Sequence, residues 1–136
     1  MLFLLMLISF FGVSSQNFPG KEVQLLKDKT LRVKEKSESS QKYGYDNFYL
    51  SNKLKKRYKP IDKYSNTIYS ELVGKEFKVL DIEEYKDYAD REKYILKIDN
   101  EETGILYFKY DEVSEYYFCF EVLGGLDFPE GHFCKA

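Results

Sequence analysis

Tryptophan is absent from this 136-residue chain, histidine occurs once, cysteine twice and proline three times. The lone histidine, His132, stands near the C-terminus, so histidine-based proton transfer has one place to reside. No G-x-S-x-G nucleophile setting, P-loop, G-x-G-x-x-G turn or D-x-D-x-D-G loop occurs, which removes several hydrolase, nucleotide-binding and calcium-binding readings. His132 and Cys134 lie close together without a second ligand pair, so no metal site and no cofactor is expected. Carboxylates are plentiful, yet no pair is singled out, and the chain is read as non-catalytic.

A long hydrophobic run is also missing. Residues 2–13 form an uncharged apolar stretch of about a dozen residues, short of the ~20 a membrane-spanning helix needs. Ser14, Ser15 and Gln16 follow, and Val13 and Ser15 satisfy the small-residue rule for cleavage before Gln16. Residues 1–15 are therefore read as a signal peptide, although the terminal amine is the only positive charge ahead of the run. The reading implies a secreted or periplasmic protein with no membrane span after cleavage, and it argues against nucleic acid as a partner. In an exported chain Cys119 and Cys134 are expected to form a disulfide; closing a loop of that size contributes about 3 kcal/mol in the chain-entropy model.

What is present is aromatic and charged. Thirteen Tyr and 11 Phe fill out a chain that is 32% charged, a globular composition able to build a core. The net charge of −2 conceals a division. Residues 16–66 carry 13 Lys or Arg against 6 Asp or Glu, and residues 67–136 carry 8 against 17. Such asymmetry suits two halves docked on each other or a basic face offered to an anionic partner.

Strand periodicity is clearest in the acidic half. Phe77 and Val79 alternate with Glu76 and Lys78, after which the apolar phase shifts to Leu80 and Ile82, the signature of a bulge or bend. Residues 83–92 read as a charged loop. Tyr94, Leu96 and Ile98 lead through D-N-E-E-T-G into residues 105–110, a hairpin pattern. In residues 116–123, Tyr116, Phe118, Phe120 and Val122 fall on one predicted strand face, and Gly124 and Gly125 end it. Residues 65–73 read as a short helix with Gly74 at its C-terminal cap.

The stretch L-K-D-K-T-L-R-V from Leu26 matches L-V-G-K-E-F-K-V from Leu72 at the Leu, Lys and Val positions. Asp28 takes the place of Gly74, and Leu31 and Val33 those of Phe77 and Val79. The fold expected is mainly β: a small curved antiparallel sheet or SH3-like barrel in residues 67–136, closed by the disulfide loop. A partial repeat in the basic segment 16–66 and one or two short helices complete it.

Two constellations are candidates for binding. In Y-G-Y-D-N-F-Y, Tyr43, Tyr45 and Tyr49 surround a predicted turn; exposed Tyr rings offer large contact area at low entropic cost, although rings beside a turn are more often core. In K-L-K-K-R-Y-K-P, Lys55, Lys56 and Arg57 form the densest basic cluster, read as a short helix ended by Pro60 and able to hold phosphate or sulfate, or else as a solvated helix facing the acidic half. The function expected is a non-catalytic binding module for a protein or glycan. The alternatives are an accessory subunit of an envelope assembly, paired through edge strands, and a small carboxylate-dependent hydrolase.

Overall fold

The computed structural model describes residues 17–62 and 65–127. The signal-like segment, His132 and Cys134 lie outside the described residues. Six strands form a single antiparallel sheet: β1 (Thr30–Val33), β2 (Phe48–Tyr49), β3 (Glu76–Lys86), β4 (Glu92–Asn100), β5 (Gly104–Tyr110) and β6 (Phe120–Val122). Their spatial order is β2-β5-β4-β3-β1-β6, and the sheet curls into an open half-barrel. The mainly β, curved-sheet expectation therefore holds, and β1 and β2 of the basic half are woven into the same sheet as the acidic strands.

The two matching octapeptides lie side by side at the centre of this arrangement. β1 and β3 pair with Leu31 opposite Phe77. The hydrogen bonds flanking that pair have a local two-fold pattern. At one end Val33 N–H donates to the Lys75 carbonyl and Gly74 N–H to the Val33 carbonyl, both at 3.0 Å. At the other, Val79 N–H donates to the Lys29 carbonyl at 2.9 Å and Asp28 N–H to the Val79 carbonyl at 3.2 Å. Asp28 and Gly74 both adopt positive φ (65° and 75°), the backbone angle that turns each chain into its strand. Leu31, Val33, Phe77 and Val79 are all buried.

The core is a ring cluster. Phe108 lies 4.9 Å from Phe120 and 5.2 Å from Phe48, centroid to centroid, and Phe48 lies 5.7 Å from Phe120. β2 and β6 are the two edges of the sheet, so the Phe48–Phe120 contact draws those edges together and sets the curl. Tyr49 and Ile95 are also buried but stand apart from this cluster. Each follows or precedes a core residue in its strand, so alternation places both on the outer face.

Both sheet edges are covered. Residues 56–58 lap β2: Leu50 N–H donates to the Lys56 carbonyl and Tyr58 N–H to the Phe48 carbonyl, at 2.8 and 3.0 Å. On β6 the side chain of Asn17 substitutes for a strand, its Nδ2 donating to the Phe120 carbonyl and its Oδ1 accepting from Val122 N–H, both at 2.7 Å.

Several local expectations need correction. The charged loop after β3 is shorter than predicted, because β3 runs to Lys86 and β4 begins at Glu92. The bulge falls between Val79 and Asp81, leaving Leu80 at the irregularity and half-exposed while Ile82 packs on the core. The helix predicted from residue 65 is the single turn α1 (Tyr69–Leu72). It starts late because Thr67 is held in a bridge to Tyr45, with bonds of 2.9 Å in both directions. The predicted strand 116–123 is reduced to β6. Asp111 Oδ1 accepts the N–H groups of Val113 and Ser114, and a 3₁₀ turn at Glu115–Tyr117 follows, so Tyr116 faces solvent instead of sharing the core face. No helix forms over K-L-K-K-R-Y-K-P: Leu54 and Lys59 have positive φ, and residues 56–58 pair with β2.

Gly44 and Gly74 make a test of this geometry. A Cβ at Gly44 would sit 1.9 Å from the Thr67 carbonyl oxygen, whereas one at Gly74 meets nothing within 4 Å. Gly74→Ala is expected to cost about 1–2 kcal/mol for its left-handed backbone alone. Gly44→Ala is expected to cost clearly more, because the Tyr45–Thr67 bridge must open. Urea denaturation midpoints of the two variants check this ranking.

Candidate functional site

A broad concavity lies at one end of the half-barrel, where its two edges converge. It is a cleft of about 840 Å³. One wall is the segment after β1, residues 34–43, including a 3₁₀ turn at Glu38–Tyr43. The other is the second 3₁₀ turn and its exit, residues 115–119, with Tyr45 and Asp46 between them. Lys34 N–H donates to the Cys119 carbonyl at 2.9 Å and joins the walls at their base.

The first wall is held by several bonds. Tyr45 Oη donates to the Lys34 carbonyl, Lys36 Nζ to the Gly44 carbonyl, and Gln41 Nε2 to the Lys36 carbonyl. Asn66 Nδ2 donates to the Tyr43 carbonyl, and Tyr45 stacks on Tyr69 with centroids 5.4 Å apart. Above this frame three phenol rings remain in solvent: Tyr43 at 61% exposure, Tyr116 at 87% and Tyr117 at 45%. The Tyr116 and Tyr117 rings stand edge to face at 5.2 Å.

A second groove, of about 640 Å³, is lined by Tyr49, Leu50, Leu54, Lys55, Lys56, Arg57 and Pro60. Arg57 lies over the Tyr49 ring at 5.1 Å and donates through Nη1 to Asp46 Oδ1. Asp46 lines the cleft and Arg57 lines the groove, so one ion pair lies between the two depressions.

The sequence candidates are thus divided. Tyr43 and Tyr45 belong to the cleft, while Tyr49, Lys55, Lys56 and Arg57 belong to the groove. Only Tyr43 of the three tyrosines offers its ring to solvent; Tyr45 and Tyr49 are buried at 2% and 7% exposure. Sequence reasoning missed Tyr117 and the 34–40 wall and placed Tyr116 in the core. The available signals were D-E-V-S, whose Asp and Ser favour turns, and the polar K-E-K-S-E-S-S-Q stretch.

The chemistry on offer is hydrogen bonding and ring contact. The expected disulfide is not seen: among the described residues Cys119 has no bonded partner, and in thiol form desolvation pushes its pKa up to about 12, which disfavours a thiolate nucleophile. Burial likewise raises Tyr45, and the neighbouring Tyr69 adds to the shift. Asp46 is committed to Arg57. Among the described residues, no cluster of His, Cys, Asp and Glu suited to a metal ion occurs.

These shifts carry a pH signature. Tyr45, Tyr49 and Tyr110 all lie above their ordinary value near 10, with burial the largest cause in each. Folding therefore holds protons that the unfolded chain releases. The associated stability is fully present below about pH 10 and is lost as pH rises through the higher folded values. The urea midpoint should be steady with respect to these groups up to pH 10 and fall above it. Tyr110→Phe should make the alkaline fall shallower.

Compared with protein-family models, curated proteins and solved structures, the chain matches none.

Proposed function

We propose that the protein is an exported, non-catalytic module that binds a segment of another protein in the tyrosine-lined cleft. The observation that carries this reading is the set of three exposed rings, Tyr43, Tyr116 and Tyr117, around one cleft whose walls are tied by backbone hydrogen bonds. Exposed phenols on a fixed frame bring contact area without a large ordering cost. Four Tyr, two Ser and two Asn line the cleft, the residue types that dominate antibody combining surfaces, and this favours a protein ligand over a glycan.

Export rests on the signal-like segment at residues 1–15. The accessory-subunit alternative, with its edge-strand pairing, is disfavoured because residues 56–58 and Asn17 already occupy the two sheet edges. For the hydrolase alternative, the cleft carries Glu35, Asp46 and Glu115, of which Asp46 is taken by Arg57, and no specific observation favours hydrolysis over binding.

A disulfide between Cys119 and Cys134 belongs to this proposal. From Asp127, the last described residue, seven residues of chain lead to Cys134, a reach of about 24 Å when extended. The exported protein is expected to resist alkylation until reduced and then to take up label at both cysteines, as read by intact mass. Labelling at both positions without reductant would remove the disulfide.

Selection of displayed random peptides on the immobilised protein tests the cleft. Enriched peptides should bind the native chain and lose roughly tenfold or more on Tyr43→Ala/Tyr116→Ala, since hot-spot rings are commonly worth 2 kcal/mol or more. The thermal midpoint should stay close to the parent value, because both rings are exposed. Peptides that bind the variant equally well would sink the proposal. So would a glycan-array signal abolished by the same substitutions when no peptide is enriched.

A further inference from the structure

The groove on the other side of the Arg57–Asp46 pair has its own charge logic. Between Leu50 and Ile61 the chain carries five Lys or Arg residues and no Asp or Glu. Acidic side chains do reach this loop, and each already has a partner. Asp46 is held by Arg57, Glu71 pairs with Lys59 at 3.5 Å, and Glu83 accepts from Asn52 Nδ2 at 3.0 Å. Lys53, Lys55 and Lys56 are exposed, and among the described residues none of the three has an ion-pair partner.

Apolar surface stands beside these cations. Leu50, 49% exposed, lines the groove together with Leu54 and Pro60. The loop is shaped by two left-handed residues that are not glycine, Leu54 (φ 54°) and Lys59 (φ 36°). Such backbone is costly and persists only where its surroundings impose it. Here the bonds between residues 56–58 and β2 hold it.

We propose that this loop is a second binding surface, independent of the tyrosine cleft, that seats the protein on an anionic lipid bilayer. The three lysines meet headgroup phosphates, while Leu50 and Leu54 reach the acyl boundary. Charge complementarity selects an anionic partner. The apolar side chains select a bilayer over a sulfated glycan or a nucleic acid, because a hydrophilic polyanion leaves Leu50 facing water, whereas lysine stems cover an apolar interface with their ammonium groups in the headgroup layer.

Flotation of the purified protein with phosphatidylglycerol–phosphatidylcholine vesicles tests this, with pure phosphatidylcholine vesicles and a heparin column as comparisons. The native chain should bind the anionic vesicles at low salt, weaken steeply as salt rises, and ignore neutral vesicles. K53E/K55E/K56E should reduce binding on the order of a hundredfold, following the contribution of each surface cation to lipid attraction. Leu50→Asp should weaken it without changing retention on heparin. Among the described residues the lysines have no ion-pair partners to lose, so circular dichroism should match the parent; if the Glu variant misfolds, K53Q/K55Q/K56Q makes the same measurement. Equal binding to neutral vesicles, undiminished binding of a folded lysine variant, or retention on heparin with no vesicle binding would each overturn the proposal.

Discussion

The pairing of β1 with β3 about the Leu31–Phe77 contact is the constraint from which the rest follows. A strand from the basic half and a strand from the acidic half share a ladder, so neither half completes the sheet alone. The local two-fold arrangement requires both chains to arrive from a turn at matching positions. Asp28 and Gly74 supply it by accepting positive φ, and each aims its N–H at the last residue of the opposite octapeptide. The other side of β1 then receives β6, with Leu31 opposite Val122. The far edge of the sheet, β2, meets β6 only through aromatic rings. The cleft is the mouth of that unclosed seam.

Charge follows the same division. Of the eight ion pairs among the described residues, Lys27–Asp81, Lys29–Asp127, Arg32–Glu121 and Lys59–Glu71 join the basic segment to the acidic one. Individually such exposed pairs contribute little, about 0–1 kcal/mol. Collectively they explain how a chain split into basic and acidic halves can fold as one sheet without large like-charge repulsion. Lys53, Lys55 and Lys56 lie outside these pairs. The basic cluster is therefore a residue of positive charge left after the halves have docked, which is the form in which a partner would meet it.

How far the sequence could be read depended on whether local pattern or distant contact decided each segment. β3, β4 and β5 were legible because their apolar alternation can be followed on either side of the bulge in β3. The turn residues Asp28, Gly74 and Gly104 were legible because positive φ selects among few residue types. The segment 116–123 alternates equally well, yet Asp111 captures its approach and starts a 3₁₀ turn, which periodicity does not reveal. The basic stretch has helix-forming composition, but the unpaired edge of β2 offers backbone partners that a helix would forgo. The tyrosine cluster was visible as a cluster; its division between cleft, core and outer face depends on the Tyr45–Thr67 bridge and on strand alternation.

The Arg57–Asp46 pair explains why two adjacent depressions differ in charge. Without it the cleft would carry three carboxylates, Glu35, Asp46 and Glu115, against Lys34 and Lys36, and the groove would carry a further unpaired cation. With it, two lysines face two glutamates across a cleft rich in hydroxyls, amides and rings, a balanced surface suited to polar peptide contacts. In the groove, Arg57 turns its charge toward Asp46 and its plane onto Tyr49, which leaves the exposed Lys55 and Lys56 as cations without an ion-pair partner among the described residues. A single ion pair thus lies between a charge-balanced cleft and a basic groove, and each surface keeps its character because that pair is satisfied.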